Sequence, residues 1–288
     1  MDLNSLIFPA PAASYDSNTF PGELLWIPRT GRRPHPCIFL QHLLGSSKLL
    51  LFFHGNAEDI GLAYDLCTQL RYHLKVHILI VEYPGYGLYA AHPSAETICE
   101  DADLLIEYLT TVMEWRVENI FVFGRSIGSG PACYLASKFH MGCLILMSAY
   151  TSIRSVVKHL AGRVAQYFVS QRFNNLELMT SVTAPAFFLH GQRDTLIPPS
   201  ESQALHAKCQ GLSFIHLPEH MDHNEFEYID DLIYPLAEFL RKCGISTDAV
   251  RGERSFLMFS EELFAVPEGQ TVPLNQGRVN RLLRRINS

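Results

Sequence analysis

The sequence holds no apolar run near the ~18–20 residues that a membrane span requires, so no transmembrane helix is expected. Nor does it carry an excess of positive charge. Its 23 Lys and Arg stand against 29 Asp and Glu, for a formal net charge of -6. A phosphate backbone is held largely by clustered cations, so nucleic acid is not an expected partner. Met1-Asp2-Leu3-Asn4 includes no basic segment leading into a long apolar core, which argues against a secretory signal. The seven cysteines (Cys37, Cys67, Cys99, Cys133, Cys143, Cys209, Cys243) form no C-x-x-C pair, and their number is odd. Zinc and a disulfide framework are both unexpected on that spacing, and a cytoplasmic compartment is expected. No metal-ligand cluster, cofactor motif, internal repeat or low-complexity tract is found.

Apolar runs alternate with helical spacing along most of the chain. Residues 38–44, 48–53, 76–81, 120–123, 143–147, 186–190 and 213–217 read as strands. Residues 59–74, 94–113, 199–209 and 226–240 read as helices, the second with Ile98, Leu104, Leu105, Tyr108, Leu109 and Val112 on its apolar face. Runs such as Lys48-Leu49-Leu50-Leu51-Phe52-Phe53 are apolar on both alternations, as in a parallel strand covered on two faces. The expected class is α/β, a mostly parallel doubly wound sheet with helices on both faces. A single domain is expected over residues 1–243. Within it, 148–183 interrupts the alternation, either as a small cap forming an acyl-binding wall or as one crossover helix, at 155–168, with a loop. Residues 244–288 depart from the pattern and end in a basic amphipathic stretch from Arg278 to Arg285, which fits either a frayed terminus or a contact with acidic lipid or a partner.

The informative stretch is Ile120-Phe121-Val122-Phe123-Gly124-Arg125-Ser126-Ile127-Gly128-Ser129-Gly130. A buried strand, then Gly-x-Ser-x-Gly, then a helix is the setting of a nucleophile elbow, in which a serine hydroxyl projects from the top of a sheet. Gly124 and Gly128 would remove the Cβ atoms that clash where strand and helix approach. A phosphate loop fits worse, since no Lys-Ser or Lys-Thr follows the glycines. A hydroxyl is a poor nucleophile near neutral pH and needs a base, itself held by an acid.

Asp194 lies a few residues beyond the strand at 186–190 and is the expected acid. His223 lies just before the last helix and is the expected base; His220, in the same loop, is the alternative. Two backbone N–H groups are expected to receive the oxyanion: Ile127, after the serine, and Asn56, in His54-Gly55-Asn56-Ala57 after a strand. His54, His190, Ser129 and Asp222 are expected to serve structure. Tyr83 and Tyr86, in Glu82-Tyr83-Pro84-Gly85-Tyr86-Gly87, could line a pocket or pack within their own loop.

The chain order Ser126, Asp194, His223 is that of α/β hydrolases. The segments 51–57, 82–87, 123–130, 189–198 and Met221-Asp222-His223, with Phe8-Pro9-Ala10-Pro11, resemble the α/β-hydrolase-domain 17 group over about residues 6–242. The resemblance implies the α/β-hydrolase fold with Ser126 as nucleophile, Asp194 as acid and His223 as base. It implies a cofactor-free serine hydrolase that removes palmitate from S-acylated protein cysteines, peripheral at membranes through transient contact. The alternatives are a carboxylesterase or lipase on small or lipid-like esters, and a silent fold used as a binding module. The N-terminal cysteine cluster that anchors members of that group is missing here, since no cysteine precedes Cys37.

Overall fold

In a computed structural model of the chain, residues 7–29, 31–165, 172–248 and 255–267 are described. Their centre is an eight-stranded sheet of β1 (Leu24–Ile27), β2 (His35–Leu40), β3 (Leu49–Phe53), β4 (His77–Val81), β5 (Ile120–Arg125), β6 (Cys143–Met147), β7 (Ala186–Leu189) and β8 (Ser213–His216). The order is β1-β2-β4-β3-β5-β6-β7-β8, with β2 antiparallel to both β1 and β4 and the rest parallel. Among the described residues the α-helices include α1 (Tyr64–Leu74), α2 (Ala95–Glu107), α3 (Ser129–Lys138), α4 (Ile153–Ala165), α5 (Asn175–Leu178), α6 (Ser200–His206) and α7 (Tyr234–Lys242).

Alternate residues of each strand feed two separate cores, as the two-residue period of a strand demands. Leu49, Leu51 and Phe53 face one side, where α2 supplies Ile98 and Leu105, the turn after it Leu109, and α3 Leu135. Leu50 and Phe52 face the other, against Leu66 and Leu70 of α1 and Leu236 and Phe239 of α7. Both faces are therefore covered, which accounts for the continuous apolar runs of the central strands.

The parallel register sets the functional edge. Phe53 pairs with Val81 and with Gly124, Arg125 with Met147, Met147 with Leu189, and Leu189 with His216. Six carboxyl ends thus finish level, so the segments after them meet at one edge of the sheet, the usual place for ligands in such sheets.

Several expected elements differ. The strand expected at 38–44 is β2, His35–Leu40; Leu43 and Leu44 are exposed beyond it. The helix expected from residue 59 begins at Tyr64, because the Asp59 carboxylate accepts bonds from the Ser14 N–H and hydroxyl and the Leu62 N–H and holds a turn instead. The helix expected at 94–113 ends as a π turn, Tyr108–Val112, in which Val112 is exposed; Leu104, within α2, is exposed as well. The last helix likewise opens with a π segment, Tyr228–Ile233, that turns Tyr228 outward and Leu232 inward. In the 148–183 insertion, α4 starts at Ile153 and carries a non-helical Gly162; Tyr167 and Phe168, part of the helix expected there, lie outside the described residues. The basic stretch 278–285 also lies outside them.

The packed body extends past residue 243. Ser255 carbonyl oxygen accepts from the Ser46 N–H at 2.8 Å, Leu257 carbonyl oxygen from Gln41 Nε2 at 3.1 Å, and the Phe259 ring meets Phe39 edge-on at 4.8 Å. Leu257 and Phe259 are buried. Phe259→Ala is therefore expected to cost about 3 kcal/mol or more, the usual range for a buried Phe deletion. Urea unfolding checks this: an unchanged midpoint would mean that the segment adds nothing to the core.

Candidate active site

Ser126 follows β5 with φ +52°, a left-handed conformation unusual for a residue with a side chain. The turn is held by close backbone approach. A Cβ on Gly128 would overlap the Phe53 carbonyl at the end of β3, and one on Gly124 would overlap the Gly128 carbonyl. The elbow thus depends on both glycines, and α3 begins directly after it.

His223 is brought to the serine from the loop between β8 and α7. Its Nε2 lies 3.2 Å from Ser126 Oγ, and its Nδ1 lies 2.7 Å from Asp194 Oδ2. Asp194 follows β7 and its carboxylate is buried. Burial alone would raise its pKa, but bonds from His190, His223 and the Ile197 N–H outweigh that and hold it well below the usual carboxylate range. The aspartate therefore remains charged, fixes Nδ1 as the protonated nitrogen, and leaves Nε2 free to take the serine proton.

The alternative base is elsewhere: His220 is largely exposed, with Nε2 3.1 Å from Asp231 Oδ2. Asp222 accepts the Asn224 and Glu225 N–H groups and shapes the histidine loop. His190 is buried between Ser202 Oγ, the Ile197 carbonyl and Asp194, and Ser129 Oγ accepts from Asn175 Nδ2.

Two cavities meet at Ser126. One, of about 390 Å³, is apolar and runs under α4, lined by Ile7, Ile127, Tyr150, Ile153, Val157 and Leu160 among others. The other, of about 320 Å³, is lined by Gly55, Glu58, Arg125 and His223. Asn56, Ser126 and Leu196 border both. The 148–183 insertion thus supplies one wall of the apolar cavity.

Tyr83 and Tyr86 do not line either cavity. Both are fully buried, their hydroxyls donating to the His54 carbonyl at 2.8 Å and to Asn56 Oδ1 at 2.7 Å. These bonds hold both rings beneath the segment after β3, so of the two expectations loop packing describes them. His54 is buried as well, and its Nε2 meets Glu82 Oε1 at 3.0 Å. Burial disfavours its charged form, but the hydrogen bond and charge of Glu82 prevail and raise its pKa.

Three residues at the site have no role in the motif reading. Arg125, the variable residue before the serine, has Nη1 2.9 Å from Glu58 Oε2 and Nη2 3.3 Å from Asn224 Oδ1. It ties the loop after β3 to the histidine loop. Glu58 also accepts the Gly55 N–H at 2.6 Å. Glu82 lies at the end of β4, a position that a lone acidic residue after an apolar run could have flagged.

Among the described residues no group of three or more His, Cys, Asp or Glu could hold a metal ion, and no helix is long and apolar enough to cross a membrane. All seven cysteines are free; burial pushes the Cys37, Cys67, Cys133 and Cys143 thiols up, away from reactivity.

An esterase of Pyrococcus furiosus superposes with a TM-score of 0.65 at 15% identity, covering 81% of this chain and 98% of the esterase. The chain has the α/β-hydrolase fold. A monoacylglycerol lipase of Paleococcus ferrophilus shares this fold (TM-score 0.55, 17% identity, 72% and 98% covered). In sequence, the chain resembles alpha/beta hydrolase domain-containing protein 17B of Xenopus laevis, 28% identical over 204 residues, 71% of this chain and 70% of that protein. The human 17B protein matches at the same identity and coverage of this chain. No family model matches.

Two outcomes are expected. Gly128→Ala should misplace Ser126 and cost stability, because the backbone of β3 leaves no room for the methyl; an unchanged urea midpoint would count against the close approach. The depressed pKa of Asp194 means that its stabilisation is present above the ordinary carboxylate value, about 4, and is lost as pH falls through the lower folded value. The stability gap between wild type and Asp194→Asn should therefore narrow below about pH 4. An equal gap at pH 7 and pH 3 would contradict the ionised, hydrogen-bonded aspartate.

Proposed function

We propose that the chain is a serine hydrolase that cleaves acyl thioesters or esters through an acyl-enzyme, and that its substrates are palmitoylated protein cysteines. The observation that carries this reading is Ser126 at the junction of an apolar cavity and a polar cleft, with His223 and Asp194 aligned behind it. The apolar side suits an acyl chain, and the polar side suits a leaving group still attached to protein.

Ser126 Oγ attacks the acyl carbon as its proton passes to His223 Nε2. The carbonyl oxygen gains the charge and is received by the Asn56 and Ile127 N–H groups, each worth roughly 3–4 kcal/mol in comparable sites. Collapse breaks the bond to sulfur, and the proton on His223 leaves with the thiol. Water then repeats the sequence: His223 takes its proton, the oxygen attacks the acyl carbon, and the Ser126 ester breaks to release the fatty acid. Asp194 stabilises the imidazolium in each half. Such substrates sit at membrane surfaces, so transient contact with a bilayer belongs to the same reading.

The likeness in sequence to the α/β-hydrolase-domain 17 proteins favours this substrate class. Oxygen esters are the second reading, because the proteins sharing the fold include an esterase and a lipase. The test compares an S-palmitoyl-cysteine peptide, its O-palmitoyl-serine analogue and short p-nitrophenyl esters. A strong preference for the long thioester is expected, with Ser126→Ala lowering kcat by about 10⁵-fold or more at unchanged melting temperature. Fast turnover of short esters without thioester cleavage would favour the second reading, and Ser126→Ala activity near wild type would overturn both.

A further inference from the structure

The Glu82–Gly87 turn and His54 are not used by the reaction above, yet they hold a buried polar cluster near it. Glu82 and His54 are both 0% exposed. Glu82 Oε1 meets His54 Nε2 at 3.0 Å, and Oε2 accepts from the Tyr15 hydroxyl at 2.9 Å and the Ile60 N–H at 3.4 Å. Gly87 completes the enclosure, since a Cβ there would overlap Glu82 Oε2. A buried carboxylate and imidazole are tolerated only when both are partnered, and Glu82 takes one nitrogen of His54.

The other nitrogen of His54 faces the backbone. Nδ1 lies 2.9 Å from the carbonyl oxygen of the next residue, Gly55. That oxygen belongs to the peptide whose N–H is that of Asn56. In a trans peptide the C=O and N–H point in opposite directions, so a donor that fixes the Gly55 carbonyl also fixes the direction of the Asn56 N–H. The surrounding groups are restrained one by one. The His54 carbonyl accepts from Tyr83, the Gly55 N–H donates to Glu58, and the Asn56 side chain is held by Tyr86 and by the Ile7 carbonyl at 2.7 Å. Among the described residues no acceptor takes the Asn56 N–H, and Asn56 borders both cavities beside Ser126.

We propose that His54, held by Glu82, is a positioning residue that aims the Asn56 N–H at the oxyanion. The assignment rests on the serine-hydrolase reading above. Both partners of His54 are acceptors, a carboxylate and a carbonyl, so the ring donates from both nitrogens as an imidazolium. Its raised pKa accords with this. The Glu82–Gly87 turn is then the support of the oxyanion site, with Tyr83 and Tyr86 fixing the peptide before and the side chain after the one that matters.

Two substitutions separate the two nitrogens. The amide nitrogen of Asn can occupy the place of Nδ1, while that of Gln can occupy the place of Nε2. His54→Gln keeps a donor for Glu82 and loses the one for Gly55; it should lower kcat by about 10- to 100-fold, somewhat less than outright removal of an oxyanion donor, with KM within about twofold. His54→Asn should restore kcat to within a few-fold of wild type, even if it melts lower. A role in stability alone would make activity per folded molecule equal in all three proteins. That result, or an Asn variant as slow as the Gln variant, would overturn the assignment.

Should His54→Gln fail to fold, the wild-type crystal structure of a fluorophosphonate adduct decides. The phosphonyl oxygen is expected about 3 Å from the Asn56 and Ile127 nitrogens, with the His54–Gly55 bond retained. A flipped Gly55–Asn56 peptide would contradict the proposal. A wild type with no turnover and no adduct would overturn the hydrolase reading and this assignment together. An active wild type with an unimpaired His54→Gln variant would overturn this assignment alone.

Discussion

The approach of Gly128 to the Phe53 carbonyl is the contact on which the rest of the site depends. It lets the turn after β5 tuck against the end of β3, and it places Ser126 and Asn56 side by side. The turn also forces Ser126 to φ +52°, a conformation that costs of the order of 1–3 kcal/mol for a residue with a side chain. That cost is offset by paired strands on both sides of β5, whose register runs unbroken from Ile120 to Gly124 against β3 and from Phe121 to Arg125 against β6. The sheet therefore does more than carry the serine: it over-determines a turn that would relax in isolation.

Around that turn the site divides by chemistry. On one side α4 and Ile127 present aliphatic side chains to a cavity that water gains little by filling. On the other, Arg125 and Glu58 form a partly buried ion pair that also holds Asn224. Such a pair is weak evidence of stability, but here it joins two loops that supply different parts of the site. The loop after β3 brings Asn56 and the loop after β8 brings His223, so the pair fixes their spacing. The Glu82–His54 pair acts beneath the same segment, and together the two carboxylates hold the Gly55 N–H and, through His54, the Gly55 carbonyl.

The sequence was most legible where one local pattern decided the outcome. The five apolar residues Cys143–Met147 form β6 with the expected bounds, because a strand covered on both faces needs nothing else. The spacing of Ser126, Asp194 and His223 between strand ends was enough to nominate three side chains that the structure brings within hydrogen-bonding distance. Legibility failed where distant side chains override local preference. The late start of α1 depends on Ser14 capturing Asp59, 45 residues away. Tyr83 and Tyr86 resemble pocket aromatics until His54 and Asn56, 29 and 30 residues earlier, take their hydroxyls. The π segments before α7 and after α2 rotate the helical faces by a fraction of a turn, which no fixed 3.6-residue period anticipates.

The proposed reaction makes Ser126, activated by His223, the nucleophile. Its most direct test is to treat the protein with a fluorophosphonate and locate the adduct by mass spectrometry of its peptides, beside His223→Ala. A single added mass is expected on the peptide containing Ser126, formed quickly in wild type and slowly or not at all without His223. No adduct, or one on another residue, would contradict it.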